Sequence, residues 1–355
     1  MVLAAADVSL RSSSGADVSS SRRSMVRPAF PIAPHEFFHA RIPAAPREAT
    51  KEVPAAEGDD ELRLSDLEQV CQLGEGACGV VTKVRHRRTG AVFALKTAHY
   101  ADPSGAPDEE AEALRRSAGS PHVVHCHAVL AGAADGAPAY VLELMDAGTL
   151  GGVLGRRGGR GIPEGALAEV AAWCLLGLAH VHSRGVAHLD LRPDNLLASS
   201  RGDVKIGDFS VSRILYGHAG EHRRVSVAVG SPMYLSPERF EPDAHAGPRG
   251  AVAADVWGFG VTVLELFLGR CPFLAPGGRM PAFEKLRQAI CDGEPPSVPE
   301  SAAASPELRG FVAACLQKDP MRRATVAQLL AHPFVARRHV DESRRALREL
   351  IVETL

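Results

Sequence analysis

Neither sign of charge is in excess in this 355-residue sequence: forty Lys plus Arg stand against forty-two Asp plus Glu, a formal net charge of −2. Without a global field, a nucleic-acid or anionic-membrane partner is not expected, and any phosphate binding must be local. Long hydrophobic runs are missing as well. The longest, Ala171–Val181, counting Gly177 and His180, falls well short of the ~20 residues that span a bilayer, which argues against a membrane-embedded protein. Cysteines number seven, an odd count, and none forms a C-x-x-C pair. A disulfide framework and a cysteine zinc site are therefore disfavoured, and a reducing compartment, cytoplasmic and also nuclear, is the expectation. Lysine is scarce, six against thirty-four arginines, so any lysine at a special position is not a product of composition.

What is present is globular: 45% apolar and 23% charged residues, values that exclude a wholly disordered or fibrous chain. Residues 1–60 are rich in Ala, Ser, Pro and Arg and show no sustained apolar period. They read as a disordered tail that cannot bury enough surface to offset its ordering entropy. Within it, Arg22-Arg23 before Met25-Val26 fits a short basic–apolar docking peptide.

From Leu62 the pattern turns to short strands. Val80–Val84 and Ala91–Thr97 are strand-like, joined by Arg87-Arg88-Thr89-Gly90, which ends in the residue that tolerates positive φ. Glu109–Ser117 reads as a helix, Val123–Val129 and Ala139–Leu144 as strands, and Glu164–Ser183 as one of several long helices beyond Gly151. A small β-rich region followed by a larger helical one implies two lobes with a cleft between them, an α+β architecture.

Gly74-Glu75-Gly76-Ala77-Cys78-Gly79-Val80-Val81 is G-x-G-x-x-G-x-V between two strands. Glycines let backbone approach phosphate oxygens, and Val81 would lie over an adenine ring. A dinucleotide fold would need a helix after such a loop, whereas a strand follows here. On that next strand Ala94-Leu95-Lys96 places a lysine at V-A-I-K spacing, within reach of α/β-phosphates. An anion must hold that lysine in place, and the following helix offers Glu109, Glu110 and Glu112. Glu110 is the choice, with Glu109 its nearest competitor.

His188-Leu189-Asp190-Leu191-Arg192-Pro193-Asp194-Asn195 matches H-R-D-L-x-x-x-N with one change, and Asp208-Phe209-Ser210 stands for D-F-G. Phosphoryl transfer needs a carboxylate to accept a hydroxyl proton, a cation near the γ-phosphate and two oxygen ligands for Mg²⁺. Asp190, Arg192, Asn195 and Asp208 supply them in that order.

With these motifs the sequence resembles the eukaryotic protein kinases over residues 67–334, after the tail and before a helical extension at 335–355. Ser236-Pro237-Glu238 stands for A-P-E, Asp255-Val256-Trp257-Gly258-Phe259-Gly260 for D-x-W-x-x-G, and Arg323 lies where the family pairs an arginine with the A-P-E glutamate. Met145-Asp146-Ala147-Gly148-Thr149-Leu150, Asp208–Leu215 and Val229-Gly230-Ser231 with Tyr234–Arg239 resemble a plant MAP kinase kinase. The resemblance implies a bilobal kinase fold with a β-rich N-lobe and a helical C-lobe. It also implies ATP and Mg²⁺ as cofactors, a MAP kinase substrate phosphorylated on Thr and Tyr, and an upstream MAP kinase kinase kinase. Leu73, Gly74, Gly76, Gly79, Val81, Ala94 and Lys96 would cradle the nucleotide, with Leu142 as gatekeeper, Glu143 and Met145 as hinge and Leu197 beneath the adenine. The alternatives are a nucleotide-binding pseudokinase scaffold and an active kinase with another substrate.

Four departures bear on that choice. Leu189 replaces the arginine that in the family pairs with an activation-loop phosphate. No two Ser/Thr residues between Asp208 and Glu238 stand six apart, so the family's usual phosphorylated pair is absent, and Ser226 alone follows an Arg pair. Ser210 adds a Cβ where the family has glycine, and Arg192 presents a planar fork in place of a lysine ammonium. His122, His125, Cys126 and His127 resemble a metal set, but a strand points His125 and His127 to one side and Cys126 to the other, which favours structural histidines.

Overall fold

The computed structural model describes residues 62–76, 78–99, 108–131, 137–216, 230–240, 247–274 and 279–355. The expected tail, its Arg22-Arg23 pair and Ser226 lie outside the described residues. Five antiparallel strands form the first layer: β1 (Leu67–Gly76), β2 (Gly79–His86), β3 (Val92–Ala98), β4 (Cys126–Ala131) and β5 (Pro138–Glu143), in the order β1-β2-β3-β5-β4. The β2–β3 hairpin closes at Gly90, whose φ is +74° and whose N–H donates to His86 O at 2.8 Å. Alternation along β3 turns Ala94 and Lys96 to the buried side, because side chains two apart share a face.

Helix α1 (Glu109–Arg116) follows β3. Asp108 caps it, accepting from Ala111 N–H at 3.0 Å, and acids in the first turn with Arg115 and Arg116 in the last complement the helix dipole. The strand anticipated at Val123–Val129 begins only at Cys126. Val123 and Val124, both buried, instead reach the second lobe, where Val124 N–H donates to Ile206 O at 2.8 Å and Ile206 N–H to His122 O at 2.9 Å. Two adjacent apolar residues need cover on both faces, which a half-exposed strand cannot give.

The second lobe is helical around α2 (Leu150–Arg156), α3 (Glu164–Ser183) and α4 (Pro248–Leu268). By length and composition α3 and α4 would reach across a bilayer, but 67% and 72% of their apolar windows are buried in this fold, so they are its core helices. Leu167, Leu175 and Leu178 of α3 are fully buried, each contributing ~1.5–3 kcal/mol by leaving water. Leu175→Ala would cost ~2–5 kcal/mol through the cavity it leaves. The C-terminal helix Val340–Val352 packs Leu347, Leu350 and Ile351 onto this lobe. Arg338 and Arg344 reach the fully buried Glu169 of α3 at 2.6 and 2.9 Å. Thr354 lies past the helix end and donates its hydroxyl to Ile351 O.

Short strands β6 (Gly148–Thr149), β7 (Val186–Ala187), β8 (Leu196–Ala198), β9 (Val204–Ile206) and β10 (Arg213–Ile214) form the sheets β6-β8-β9 and β10-β7. Residues 188–195 lie between β7 and β8, and residues 207–212 between β9 and β10. These short sheets hold both loops of the site.

Candidate active site

Lys96 is buried at 5% exposure, and its Nζ donates to Glu110 Oε1 at 2.5 Å and to Asp208 Oδ1 at 2.8 Å. One residue from each of β3, α1 and the loop after β9 thus meets at a single ammonium. Burial alone would lower the pKa of that lysine, but the two carboxylates raise it, so it stays charged. Glu110 is buried enough that desolvation, opposed by Lys96, lifts its carboxyl to about 7. Burial pushes Asp208 upward too, yet Lys96 outweighs it and holds the carboxyl below its ordinary value. Glu109, the competitor for Lys96, turns to Arg213 of β10 instead, in an ion pair at 3.1 Å.

Asn195 donates its amide to Asp190 O at 2.7 Å and Asp190 Oδ2 at 2.9 Å, which leaves the amide oxygen as an acceptor. Ser231 N–H donates to Asp190 Oδ1 at 2.7 Å. Arg192 donates to Ser231 Oγ at 2.9 Å and pairs with Asp194 at 2.5 Å. His188 joins the two loops. Its Nδ1 accepts from Asp190 N–H at 3.3 Å, so Nε2 carries the proton shared with Gly207 O at 2.9 Å. Its ring meets the fully buried Phe209 edge-on at 5.0 Å.

Val81, Ala94, Leu142 and Leu197 belong to one apolar cluster drawn from both lobes. Leu73 is half exposed and Met145 buried, and Glu143 is tied by its carboxylate to Lys205 of β9 at 2.7 Å. The three loop glycines differ in purpose. A Cβ on Gly79 would lie 2.3 Å from Thr97 O, so the fold itself requires glycine there. At Gly74 and Gly76 a Cβ would meet no atom within 4 Å; open space over a backbone turn is what an incoming phosphate needs. Asp208 and Asn195 offer hard oxygen donors of the kind that suit a small divalent cation, so the residues fit a metal–nucleotide ligand.

Residues 67–335 match the protein kinase domain family. Mitogen-activated protein kinase kinase 9 of Arabidopsis thaliana is 41% identical over 281 residues, 78% of this chain and 87% of that protein. Mitogen-activated protein kinase kinase 7 of the same plant is 41% identical over 279 residues, 77% and 86% of the two chains. The chain belongs to the plant MAP kinase kinases. A further relative, mitogen-activated protein kinase kinase SIPKK of Nicotiana tabacum, is 35% identical over 283 residues, 78% of this kinase and 75% of its own length. As a protein kinase it uses ATP with a divalent metal.

The kinase's departures differ in what they ask of the backbone. Among the described residues only Leu189 and Asp208 are non-glycines with positive φ, +66° and +56°. Ser210, where the family has glycine, therefore needs no left-handed backbone, and its N–H donates to Asp208 Oδ1 at 3.4 Å. Leu189 is buried in a small apolar cluster with Ala187, Leu215, Ala251 and Ala254. Asp255 holds its strained backbone, accepting Leu189 N–H at 2.6 Å and His188 N–H at 2.9 Å. Asp255 and Ser231 both stand in kinase motifs of the sequence, but no local pattern foretells their contacts with Leu189 and Asp190. Residues 122, 125, 126 and 127 build no metal site: among the described residues no group of three His, Cys, Asp or Glu could hold an ion, and the rings of His125 and His127 pack edge-on at 4.5 Å.

Proposed function

We propose that this protein is an ATP- and Mg²⁺-dependent, dual-specificity MAP kinase kinase that phosphorylates Thr and Tyr in the activation loop of a MAP kinase. The observation that carries the reading is the position of Lys96 Nζ between Glu110 and Asp208 at 2.5 and 2.8 Å. A scaffold that bound no nucleotide would have no need to hold a buried lysine against two acids, since such an arrangement is costly to desolvate.

In this reading Lys96, fixed by Glu110, orients the α/β-phosphates. Asp208 and Asn195 hold Mg²⁺, which when bound neutralises charge developing on the transferred group. Asp190, fixed by Asn195 and Ser231, takes the proton of the attacking hydroxyl, and Arg192 faces the γ-phosphate. Val81, Ala94 and Leu197 sandwich the base, with Glu143 and Met145 offering backbone to its edge, and Leu73 covers the outer rim. The names of the relatives support a MAP kinase as substrate, and an upstream MAP kinase kinase kinase is the partner that the resemblance implies.

The test is to incubate the purified full-length protein with ATP, Mg²⁺ and a panel of catalytically dead MAP kinases, and to map the phosphosites. Transfer to a Thr and a Tyr of one activation loop is expected. Nucleotide binding without transfer to any of them would turn the reading to a scaffold.

A further inference from the structure

Tyr140 stands beside Lys96 and is hydrogen-bonded to Asp108, the residue that caps the helix carrying Glu110. It lies opposite Lys96 in the β3–β5 register, so the two side chains share one face of the sheet. The Lys96 ammonium stands 5.7 Å from the centre of its ring, within reach of a cation–π contact. The ring is buried at 2% exposure, and its hydroxyl donates to Asp108 Oδ2 at 2.6 Å. The other oxygen of Asp108 caps α1 through Ala111 N–H, and Glu110 sits two residues past that cap. A buried phenol hydroxyl must find an acceptor, and the acceptor here is the carboxylate that fixes where α1 begins.

We propose that Tyr140 is a positioning residue for phosphoryl transfer, its ring bracing Lys96 while its hydroxyl anchors Asp108 and so holds Glu110 against the lysine. This rests on the kinase reading above. Without the hydroxyl, α1 would keep its cap but lose its tether to the sheet. Glu110 would then no longer be fixed at the ammonium, and Lys96 would spend more time away from the phosphates.

The decisive variant is Tyr140→Phe, which removes one oxygen and keeps the ring. The full-length protein is titrated with a fluorescent ATP analogue, mant-ATP, in Mg²⁺, and assayed on a MAP kinase. We expect Kd for mant-ATP to rise about 3–10-fold and kcat to fall about tenfold, with KM for the MAP kinase unchanged. Asp108→Ala removes the cap as well as the tether and should do at least as much damage, and the pair combined should be no worse than Asp108→Ala alone. Asp108→Asn keeps the cap, but its amide nitrogen can only donate to the phenol oxygen, so it should lie between wild type and Asp108→Ala. In a Glu110→Gln background, Tyr140→Phe should leave Kd where Glu110→Gln alone puts it. An equal rise in both backgrounds would make Tyr140 a merely structural residue and overturn the proposal, as would an unchanged Kd and kcat in Tyr140→Phe. Wild-type protein that binds mant-ATP but phosphorylates no MAP kinase would sink the kinase reading, while the Kd comparison would still decide the role of Tyr140. Wild-type protein that does not bind mant-ATP would overturn both.

Discussion

The backbone N–H of Ser231 donates to Asp190 Oδ1 at 2.7 Å, and the hydroxyl of the same serine accepts from Arg192 at 2.9 Å. The segment before Tyr234 is thus fastened to the proposed base and to its neighbouring cation at once. Gly230 makes this approach possible: its φ is +105°, and a Cβ there would lie 2.9 Å from Leu189 O.

Ser231→Ala keeps the N–H and loses only the acceptor for Arg192, so kcat should fall about tenfold, the worth of one charge-assisted hydrogen bond. Gly230→Ala should do more damage, adding ~1–3 kcal/mol of backbone strain and displacing both contacts. Steady-state rates with denaturant midpoints for the two variants check this. A Gly230→Ala protein as active and as stable as wild type would refute the fastening.

Lys96→Met and Asp190→Asn should each lower phosphoryl transfer by at least about 10²-fold while leaving the fold intact, because each removes a charge from the site where transition-state electrostatics act. Asp208→Asn should act through the metal, raising the Mg²⁺ concentration needed for half-maximal nucleotide binding. Circular dichroism, transfer assays and Mg²⁺ titrations separate these outcomes; an unaltered Mg²⁺ requirement in Asp208→Asn would remove it from the metal set.

Glu110 sets stability and activity against each other with pH. Its carboxyl is raised from 4.5 to about 7, so the folded chain holds this proton more tightly than the unfolded chain does. The stability linked to it is complete below pH 4.5 and is lost as pH rises through about 7, by on the order of 3 kcal/mol. The ion pair with Lys96 behaves oppositely, forming only as the carboxyl ionises. Glu110→Gln should therefore gain stability relative to wild type between pH 5 and pH 8, while wild-type transfer falls as pH drops through about 7. Urea midpoints at pH 5, 6, 7 and 8 test the first part, and parallel curves for the two proteins would contradict it.

Lys96, Asp190, Asn195 and Asp208 were legible in the sequence because each sits at fixed spacing inside a short strand or loop, where local geometry and chemistry coincide. Glu110 was chosen over Glu109 with less to go on, since the choice depends on the rotation of α1, and the structure gives Lys96 to Glu110 and Arg213 to Glu109. Val123–Val124 looked like the start of β4 because apolar β-branched residues read alike in either lobe; only the pairing with Ile206 separates them. Tyr140 with Asp108, Ser231 with Asp190 and Asp255 with Leu189 are contacts across 32, 41 and 66 residues. No local period encodes such pairs, because they arise when helices and sheets dock.

Leu189 bears on how the kinase is switched. In an arginine-bearing relative this position would offer a cation to a loop phosphate, whereas here the side chain is packed among Ala187, Leu215, Ala251 and Ala254, an apolar contact that needs no phosphate to form. Leu215 ends the stretch after Asp208, so the contact joins that stretch directly to the loop carrying Asp190. Phosphatase-treated wild type, Ser226→Ala and Ser226→Asp should therefore phosphorylate a MAP kinase at equal rates. Loss of activity in the treated and alanine forms would show that a phosphate at Ser226 acts by another route. Leu189→Arg should not recover phosphate control: it would bury a guanidinium among alanines and beside Arg239, which donates to Leu189 O at 3.3 Å. A guanidinium forced into that apolar cluster, with Asp255 already engaged by the backbone of His188 and Leu189, should cost roughly 2–4 kcal/mol. A lowered denaturant midpoint with no new phosphatase sensitivity is the expected result. A stable Leu189→Arg protein that loses activity on dephosphorylation would instead place Ser226 within reach of the Asp190 loop and restore the family's switch.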